Sequence, residues 1–237
     1  MEIKILFNST APHDRFSTGW GVSYLIGDQI LFDTGEKGEY LLNNVKQAGV
    51  DLSRVKDIII SHDHWDHTGG LWDILKARSD INIYGCPAFG EEFKEKVKAT
   101  GNRLVENYGF LKIADPVYVT GEIRGEYKGR FIVEQAAVVE TARGLTVMTG
   151  CSHPGIVMIL RLVQKQFPNR KFHAVFGGFH LMNAHPRNIS GILQVFRELQ
   201  VEKAGPTHCS GKETEDLFRE AYGDHFISTN IGDIIDV

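Results

Sequence analysis

The feature that most constrains this chain is a cluster of metal-binding residue types at positions 62–67, with the spacing His-x-His-x-Asp-His. Three imidazoles and one carboxylate within this stretch offer the nitrogen and oxygen donors that suit Zn²⁺ and, with more oxygen ligands, Mn or Fe. A solvated loop that is rich in histidine by accident would rarely fill all four positions. The cluster therefore predicts a metal site that includes His62, His64, Asp66 and His67.

The segments on either side of the cluster predict how it is held. The apolar run 55–60 before it is typical of a short buried strand, and a helical pattern begins at Leu71 after it. A tight loop between a strand end and a helix start can turn several side chains toward one point. We expect the rest of the chain to be organised around this loop.

Composition limits the class of protein. A chain of 237 residues fits one substantial domain, and a net charge of −4 gives no basic footprint for nucleic acid. No apolar run is long enough to span a membrane, and the N-terminal segment is too short for a signal-peptide core. Three cysteines provide no disulfide framework. We expect a cytoplasmic protein with a small-molecule substrate and with neither nucleic acid nor membrane as a partner, and the oligomeric state stays open.

Alternating patterns along the chain predict an α/β protein. A hairpin around residues 27–28 is followed by a helix at 40–48, the cluster, a strand at 81–84 and a helix at 87–98. Segment 100–130 is Gly-rich with one strand at 117–119, and its length makes it a candidate substrate-facing insertion. The second half predicts a hairpin at 136–140 and 145–148, a helix from 156, a strand at 171–176, a helix at 187–199, and strands at 204–208, 226–227 and 233–235.

Together with four other motifs, the cluster resembles the signature of the metallo-β-lactamase fold superfamily. The motifs are Phe-Asp-Thr-Gly at 32–35, Thr-Gly-Cys-Ser-His-Pro-Gly at 149–155, Gly-Gly-Phe-His-Leu at 177–181 and His-Cys-Ser-Gly at 208–211. The later motifs look most like the branch of 7,8-dihydropterin-6-methyl-4-(β-D-ribofuranosyl)aminobenzene-5′-phosphate synthase-like proteins. The resemblance implies an αββα four-layer sandwich, with two mixed sheets and helices outside. It also implies a single domain over 1–237 with halves at about 1–130 and 131–237.

The resemblance also implies a ligand set for one or two divalent ions, with Zn favoured and Mn or Fe as alternatives. Asp33 would be a buried carboxylate that hydrogen-bonds near the metal-binding loop and orients its ligands. Its alternative role is to cap the helix that follows. One ion would be held by His62, His64 and His153, and the other by Asp66, His67 and His208.

Three roles stay open at this point. His180 is a candidate metal ligand, a general acid, or a hydrogen-bond donor to one of the metal ligands. Cys151 could bridge two ions as a thiolate or could be a buried, inert residue. Asp66 is a general base toward water if only one ion is bound, and a ligand if there are two.

The function that follows is metal-dependent hydrolysis. A bound ion lowers the pKa of its water to roughly 7, which supplies a hydroxide nucleophile at neutral pH. The resemblance implies a small phosphorylated or pterin-like substrate, cleaved at a phosphodiester or related ester bond. A β-lactam is not expected without a secretion signal. The alternatives are a nuclease acting on RNA or DNA, which the acidic balance disfavours, and a non-catalytic metal-dependent sensor.

Overall fold

Fifteen strands and seven helices form the framework of the chain, and the computed structural model describes all of residues 1–237. The strands are β1 (Glu2–Phe7), β2 (Ser23–Ile26), β3 (Ile30–Phe32), β4 (Asp57–Ile59), β5 (Asn82–Gly85), β6 (Arg103–Glu106), β7 (Leu111–Ala114), β8 (Val117–Val119), β9 (Ile123–Tyr127), β10 (Arg130–Glu134), β11 (Ala137–Thr141), β12 (Gly144–Thr149), β13 (Phe172–Gly178), β14 (Lys203–Thr207) and β15 (Ile234–Asp236). The helices are α1 (Gly38–Gln47), α2 (Trp65–Thr68), α3 (Leu71–Ala77), α4 (Glu91–Ala99), α5 (Ile156–Gln166), α6 (Pro186–Glu198) and α7 (Lys212–Tyr222).

The chain divides into two units, each built on its own large sheet. Residues 1–108 and 229–236 form the first unit, and residues 109–228 with Val237 form the second. The predicted α/β class with two mixed sheets is confirmed. The single domain, with halves at about 1–130 and 131–237, stays a prediction. No helix combines the length and the apolar character that crossing a membrane would need.

In the first unit the sheet has the strand order β15-β1-β2-β3-β4-β5-β6. Strands β3, β4, β5 and β6 run parallel to one another, so their carboxyl ends share one edge. Phe32 pairs with Ile59 at the end of β3 and β4, and the next backbone N–H, that of Asp33, donates to the Ile59 carbonyl. This register brings Asp33 beside the histidine loop that leaves β4.

The second unit repeats this arrangement. Its six-stranded sheet has the order β14-β13-β12-β11-β8-β7, and β12, β13 and β14 are parallel. Thr149 pairs with Gly177, and Gly178 pairs with Thr207. The segments after β12, β13 and β14 therefore leave one edge of the sheet together, and these are the segments with the predicted site residues. The strands β9 and β10 form a separate two-stranded hairpin.

Amphipathic helices cover the second sheet. Helix α5 buries Ile156, Ile159, Leu160 and Val163, which are spaced so that they share one helix face. This face packs into a core with strand residues such as Val147 and with α6 and α7. Burying such side chains stabilises the unit by about 1.5–3 kcal/mol each, which fixes the strand ends that carry the site.

Some local predictions were wrong. The expected strand at 226–227 is a single bridge from Ala204 to Phe226. The helix expected from residue 87 begins at Glu91, because the chain first makes a turn in which Phe89 N donates to the Cys86 carbonyl. Four further strands flank or lie within 100–130, where one was expected: β6, β7, β9 and β10. The histidine cluster also contains the one-turn helix α2.

Candidate metal centre

In the first unit, one buried carboxylate holds the histidine loop. The side chain of Asp33 is fully buried, and its Oδ1 accepts a hydrogen bond from Ser61 N at 2.7 Å. Its Oδ2 accepts from Ser61 Oγ at 2.7 Å and from His67 Nδ1 at 2.6 Å. Helix α1 begins at Gly38 with Lys37 as its N-cap, so Asp33 does not cap it. The residue instead joins the ends of β3 and β4.

This network fixes which ring nitrogens carry protons. The Ser61 hydroxyl has one proton and donates it to Asp33, so it accepts a hydrogen bond from His62 Nδ1, 2.9 Å away. His67 Nδ1 donates to the same carboxylate. In its neutral form each ring therefore carries its lone pair on Nε2, the tautomer that a metal ligand needs when the other nitrogen is held by a carboxylate or hydroxyl. This donor chemistry fits a divalent ion.

The side chains of the cluster also converge. The ring centroid of His62 lies 4.6 Å from that of His64 and 4.2 Å from that of His67. The Oδ2 atom of Asp66 is 3.4 Å from His67 Nε2. His62, His67 and Asp66 are buried, and His64 is half-buried. All four residues of the first cluster are thus brought together.

His67 has a strongly shifted pKa. Burial alone would lower it, but the carboxylates of Asp33 and Asp66 more than offset this and raise the pKa of His67 well above its usual value. An ion that binds at Nε2 must therefore displace a proton, which couples metal binding to pH.

Close backbone contacts keep the cluster in place. Thr34 donates to the His67 carbonyl from its N–H at 2.9 Å and from its hydroxyl at 2.8 Å. Gly21 has a φ of +100°, and a Cβ there would lie 1.8 Å from the carbonyl oxygen of Asp66. Only glycine permits this approach. The segment before β2 thereby supports α2 directly.

In the second unit, the buried carboxylate of Glu134 holds a turn that carries candidate ligands, a role that was not predicted from the sequence. Its carboxylate lies at the end of β10 and is 1% exposed. It accepts hydrogen bonds of 2.8 Å from three successive backbone N–H groups, those of Cys151, Ser152 and His153. A signal was available, because Glu134, like Asp33, is an acidic residue at the end of a short apolar strand.

The turn held by Glu134 places several candidate ligands near one another. One ligand atom from each of Cys151, His153 and His180 lies within 4.8 Å of the others. The ring of His153 is 4.5 Å from that of His180, and Tyr127 from β9 packs edge-on against both, at 4.9 and 5.5 Å. Tyr127 is a second residue of this site that was not predicted from the sequence.

His180 differs from the other histidines of this edge. It is exposed and has a φ of +53°, so it leaves β13 in a left-handed conformation. A hydrogen bond with Cys209 raises the pKa of His180, whereas partial burial and the nearby Lys128 ammonium act to lower it. Its imidazole is therefore accessible and inclined to carry a proton.

His208 comes from the third parallel strand of this edge. It follows β14 in a buried one-turn segment, His208–Ser210, with a φ of +54°. The hydroxyl of Ser210 accepts from Phe179 N at 3.0 Å, which ties this segment to the end of β13. The Cys209 Sγ atom lies 3.6 Å from the Cys151 carbonyl oxygen. It also packs against Gly178, where an added Cβ would lie only 2.8 Å from this sulfur. Cys209 thus fills the space between the strand ends.

The remaining histidines lie elsewhere in the chain. His173 is buried within β13, where its Nδ1 is 3.1 Å from a carboxylate oxygen of Glu202. His13 and His225 are exposed, and His185 caps helix α6 through a hydrogen bond from Arg187 N. None of these belongs to the clusters described above.

Comparisons with known proteins agree with these features. Residues 21–167, which include the first histidine cluster and the turn after β12, match the Metallo-beta-lactamase superfamily. The chain is 30% identical to the 7,8-dihydropterin-6-methyl-4-(beta-D-ribofuranosyl)-aminobenzene-5'-phosphate synthase of Methanocaldococcus jannaschii, over 91% of this chain and 89% of that protein. The crystal structure of Tm1679, a metal-dependent hydrolase of the beta-lactamase superfamily, matches 100% of this chain and 99% of its own with a TM-score of 0.83 and 29% identity. A ribonuclease Z from Lactobacillus helveticus is 28% identical, over 59% of this chain and 44% of that protein.

Proposed function

The chain belongs to the metallo-beta-lactamase superfamily and is a metal-dependent hydrolase, and from this premise we propose that it cleaves a phosphodiester or related ester bond in a small, phosphorylated or pterin-like molecule. The fold implies divalent metal binding. The observation that carries the proposal is the Asp33–Ser61 network, which gives His62 and His67 the tautomer of metal ligands. The substrate class is supported by the similarity to the archaeal synthase.

We assign the ligands as the resemblance implies. The proposed sets bind one or two ions, for which Zn fits the many imidazole donors best and Mn or Fe are alternatives. When bound, such an ion supplies a water whose pKa is lowered to roughly 7. We propose Cys151 as an additional ligand, since its Sγ lies within 4.8 Å of a ligand nitrogen of His153 and of His180. One set is His62, His64 and His153, and the other is Asp66, His67 and His208.

Two side chains are proposed to handle protons. If only one ion binds, Asp66 is not a ligand, and its carboxylate, buried beside His67, can orient a water or accept a proton from it. His180 is exposed and has a raised pKa, which suits a general acid that protonates the leaving oxygen of the substrate. The two residues would act at opposite stages of the reaction.

We further propose a single domain, a small-molecule substrate and a cytoplasmic location, with no nucleic acid or membrane as a partner. The net charge of −4 and the lack of a disulfide framework support this proposal. The oligomeric state is left open.

The first prediction concerns metal content. Purified protein should contain about one to two equivalents of Zn, Mn or Fe per chain, because each proposed ligand set can hold one ion. Elemental analysis should be paired with hydrolysis of a generic aryl phosphodiester before chelation, after chelation and after restoring each ion. Protein that stays sub-stoichiometric after reconstitution with every ion would contradict the proposed centre.

The second prediction tests His180. We expect His180→Ala to keep its metal and to lower kcat by about a hundred- to ten-thousandfold, because the general acid is lost and the ligands are not. Metal content and kcat should be measured on the same preparations, with His225→Ala as a control on an exposed histidine outside the site. Parallel loss of metal would make His180 a ligand, and unchanged metal and kcat would make it structural.

A nuclease is the second candidate, favoured by the similarity to ribonuclease Z. A nuclease should bind RNA with an affinity that falls steeply with salt, because phosphate contacts release counterions. We expect the small phosphodiester to be turned over and RNA binding to be weak at physiological ionic strength. Salt-sensitive binding of RNA together with its cleavage would favour the nuclease instead.

A further inference from the structure

The hairpin β9–β10 has one face directed at His153 and His180. Its strands pair Tyr127 with Arg130, Gly125 with Ile132, and Ile123 with Glu134. Directly paired residues project from the same face of an antiparallel ladder, so these six residues share one side. We call this side, made of 123, 125, 127, 130, 132 and 134, the histidine face.

Contacts at three levels show where the histidine face points. At the base, Glu134 accepts hydrogen bonds from the turn that carries His153. In the middle, a Cβ on Gly125 would lie 2.7 Å from the carbonyl carbon of His153, so the two backbones touch. Near the tip, the Tyr127 ring packs against both His153 and His180.

Two positively charged side chains, those of Lys128 and Arg130, lie at the tip of this face. Arg130 lies directly opposite Tyr127, and Lys128 sits in the turn, with its Nζ 4.9 Å from the Tyr127 ring centroid. Both are exposed, and neither is paired with a carboxylate. The tip therefore presents unneutralised positive charge beside an accessible histidine, on a chain whose net charge is −4.

The turn itself is unusual in using lysine. Lys128 and Gly129 are the two turn residues, with φ values of +51° and +73°. Both signs fit a type I′ turn, for which Asn-Gly is the strongly preferred pair. A lysine disfavours the left-handed conformation, so the turn geometry alone would not select it. A strained residue at a candidate site supports a functional reason for its side chain.

We propose that Lys128 and Arg130, on the wall formed by Tyr127, bind the phosphate group of the substrate. This inference rests on the proposed function and adds the residues that select an anionic substrate. An arginine supplies two parallel N–H donors to phosphate oxygens, and a lysine adds a point charge. An anionic ester held there lies against His153 and His180.

The opposite side of the same hairpin provides a matched control. Arg124 pairs with Val133 on that side and lies over the exposed ring of Phe131, 5.7 Å from its centroid. Arg124→Gln therefore removes the same charge as Arg130→Gln from the same element, but from the face turned away from the histidines. For the turn, Lys128→Asn removes the charge and installs the preferred type I′ residue, so folding should be kept or improved.

The experiment measures binding of phenyl phosphate to metal-reconstituted protein by equilibrium dialysis, with metal content and thermal midpoint recorded for each variant. We expect Lys128→Asn and Arg130→Gln each to weaken binding by about tenfold, the loss of roughly one charge-assisted hydrogen bond. Arg124→Gln should bind as the wild type does. KM for an aryl phosphodiester should rise in parallel, whereas KM for a neutral aryl acetate should not.

The outcomes separate the two proposals. Binding that is unaffected by Lys128→Asn and Arg130→Gln, or equally weakened by Arg124→Gln, or absent even in the wild type, overturns the inference. If phosphodiesters are not hydrolysed while phenyl phosphate binding still depends on Lys128 and Arg130, the proposed reaction fails and the phosphate site stands. If hydrolysis occurs with no such dependence, the reaction stands and the phosphate site fails.

Discussion

Asp33→Asn is expected to lower metal affinity by about ten- to a hundredfold and to reduce activity in step. The amide keeps the size of the side chain but replaces one acceptor oxygen with a donor. Asp33 Oδ2 accepts from both Ser61 Oγ and His67 Nδ1. An amide nitrogen at that position would oblige His67 to accept at Nδ1, which moves its proton to Nε2, the atom proposed to bind the ion.

The same substitution should also destabilise the first unit. Asp33, Ser61 and His67 are fully buried, so donors that lose their acceptor are not rescued by solvent. A buried hydrogen-bond donor that has no acceptor destabilises the fold by about 1–3 kcal/mol, and we expect the free energy of unfolding to fall by about this amount. Asp80→Asn is the control, because Asp80 is exposed and its carboxylate pairs with Arg78 at the surface, where solvent screens the contact and its loss changes stability little.

Metal titration and thermal unfolding of both variants check this prediction. The proposal that Asp33 orients the metal ligands is wrong if Asp33→Asn binds metal as tightly as the wild type. Should stability fall while metal affinity holds, Asp33 would be a structural residue of the strand edge and not an orienting partner of the ligands.

Candidate site residues could be located from the sequence where local pattern and topology coincide. Asp33 and the 62–67 cluster each follow a buried strand, and the strands are parallel neighbours, so their ends meet. His153, His180 and His208 follow β12, β13 and β14 in the same way. Residues at the carboxyl ends of adjacent parallel strands can thus be grouped before any coordinates are known.

Residues 100–134 were less predictable because the usual signals are weak there. Strands β6 and β7 contain no fully buried side chain, and each lies at the edge of its sheet. An edge strand that buries little shows no alternation of apolar and polar residues. Glu134 was missed for another reason: its place at the end of a short apolar strand is the one signal it offers, because its partners are backbone N–H groups 17 to 19 residues away.

The strongest expected effects separate metal binding from proton transfer within the first cluster. His64→Ala removes a half-buried imidazole whose ring lies 4.6 Å from that of His62, and alanine supplies no ligand atom in its place. We expect metal and activity to be lost together. Asp66→Asn keeps the size and one oxygen but removes the charge, so we expect at least one ion to remain while activity falls by about a hundred- to ten-thousandfold.

A control for Asp66→Asn is available in the same motif. Asp63 also lies between the histidines, but its Oδ2 accepts from Gly90 N at 2.7 Å at the start of α4. Asp63→Asn retains an oxygen for that bond, and we expect it to change kcat by no more than a few-fold. Comparing Asp66→Asn with Asp63→Asn separates the effect of losing the carboxylate at position 66 from the general effect of removing a negative charge near the cluster.

Metal content and phosphodiester hydrolysis should be measured for His64→Ala, Asp66→Asn and Asp63→Asn across pH. Added metal should not restore Asp66→Asn, because its defect lies in the missing charge and not in occupancy. Its pH profile should lose the limb that reports ionisation of the base. Near-wild-type turnover with an unshifted profile would show that Asp66 has no part in the hydrolysis, since a carboxylate that accepts the proton cannot be replaced by an amide without loss of rate.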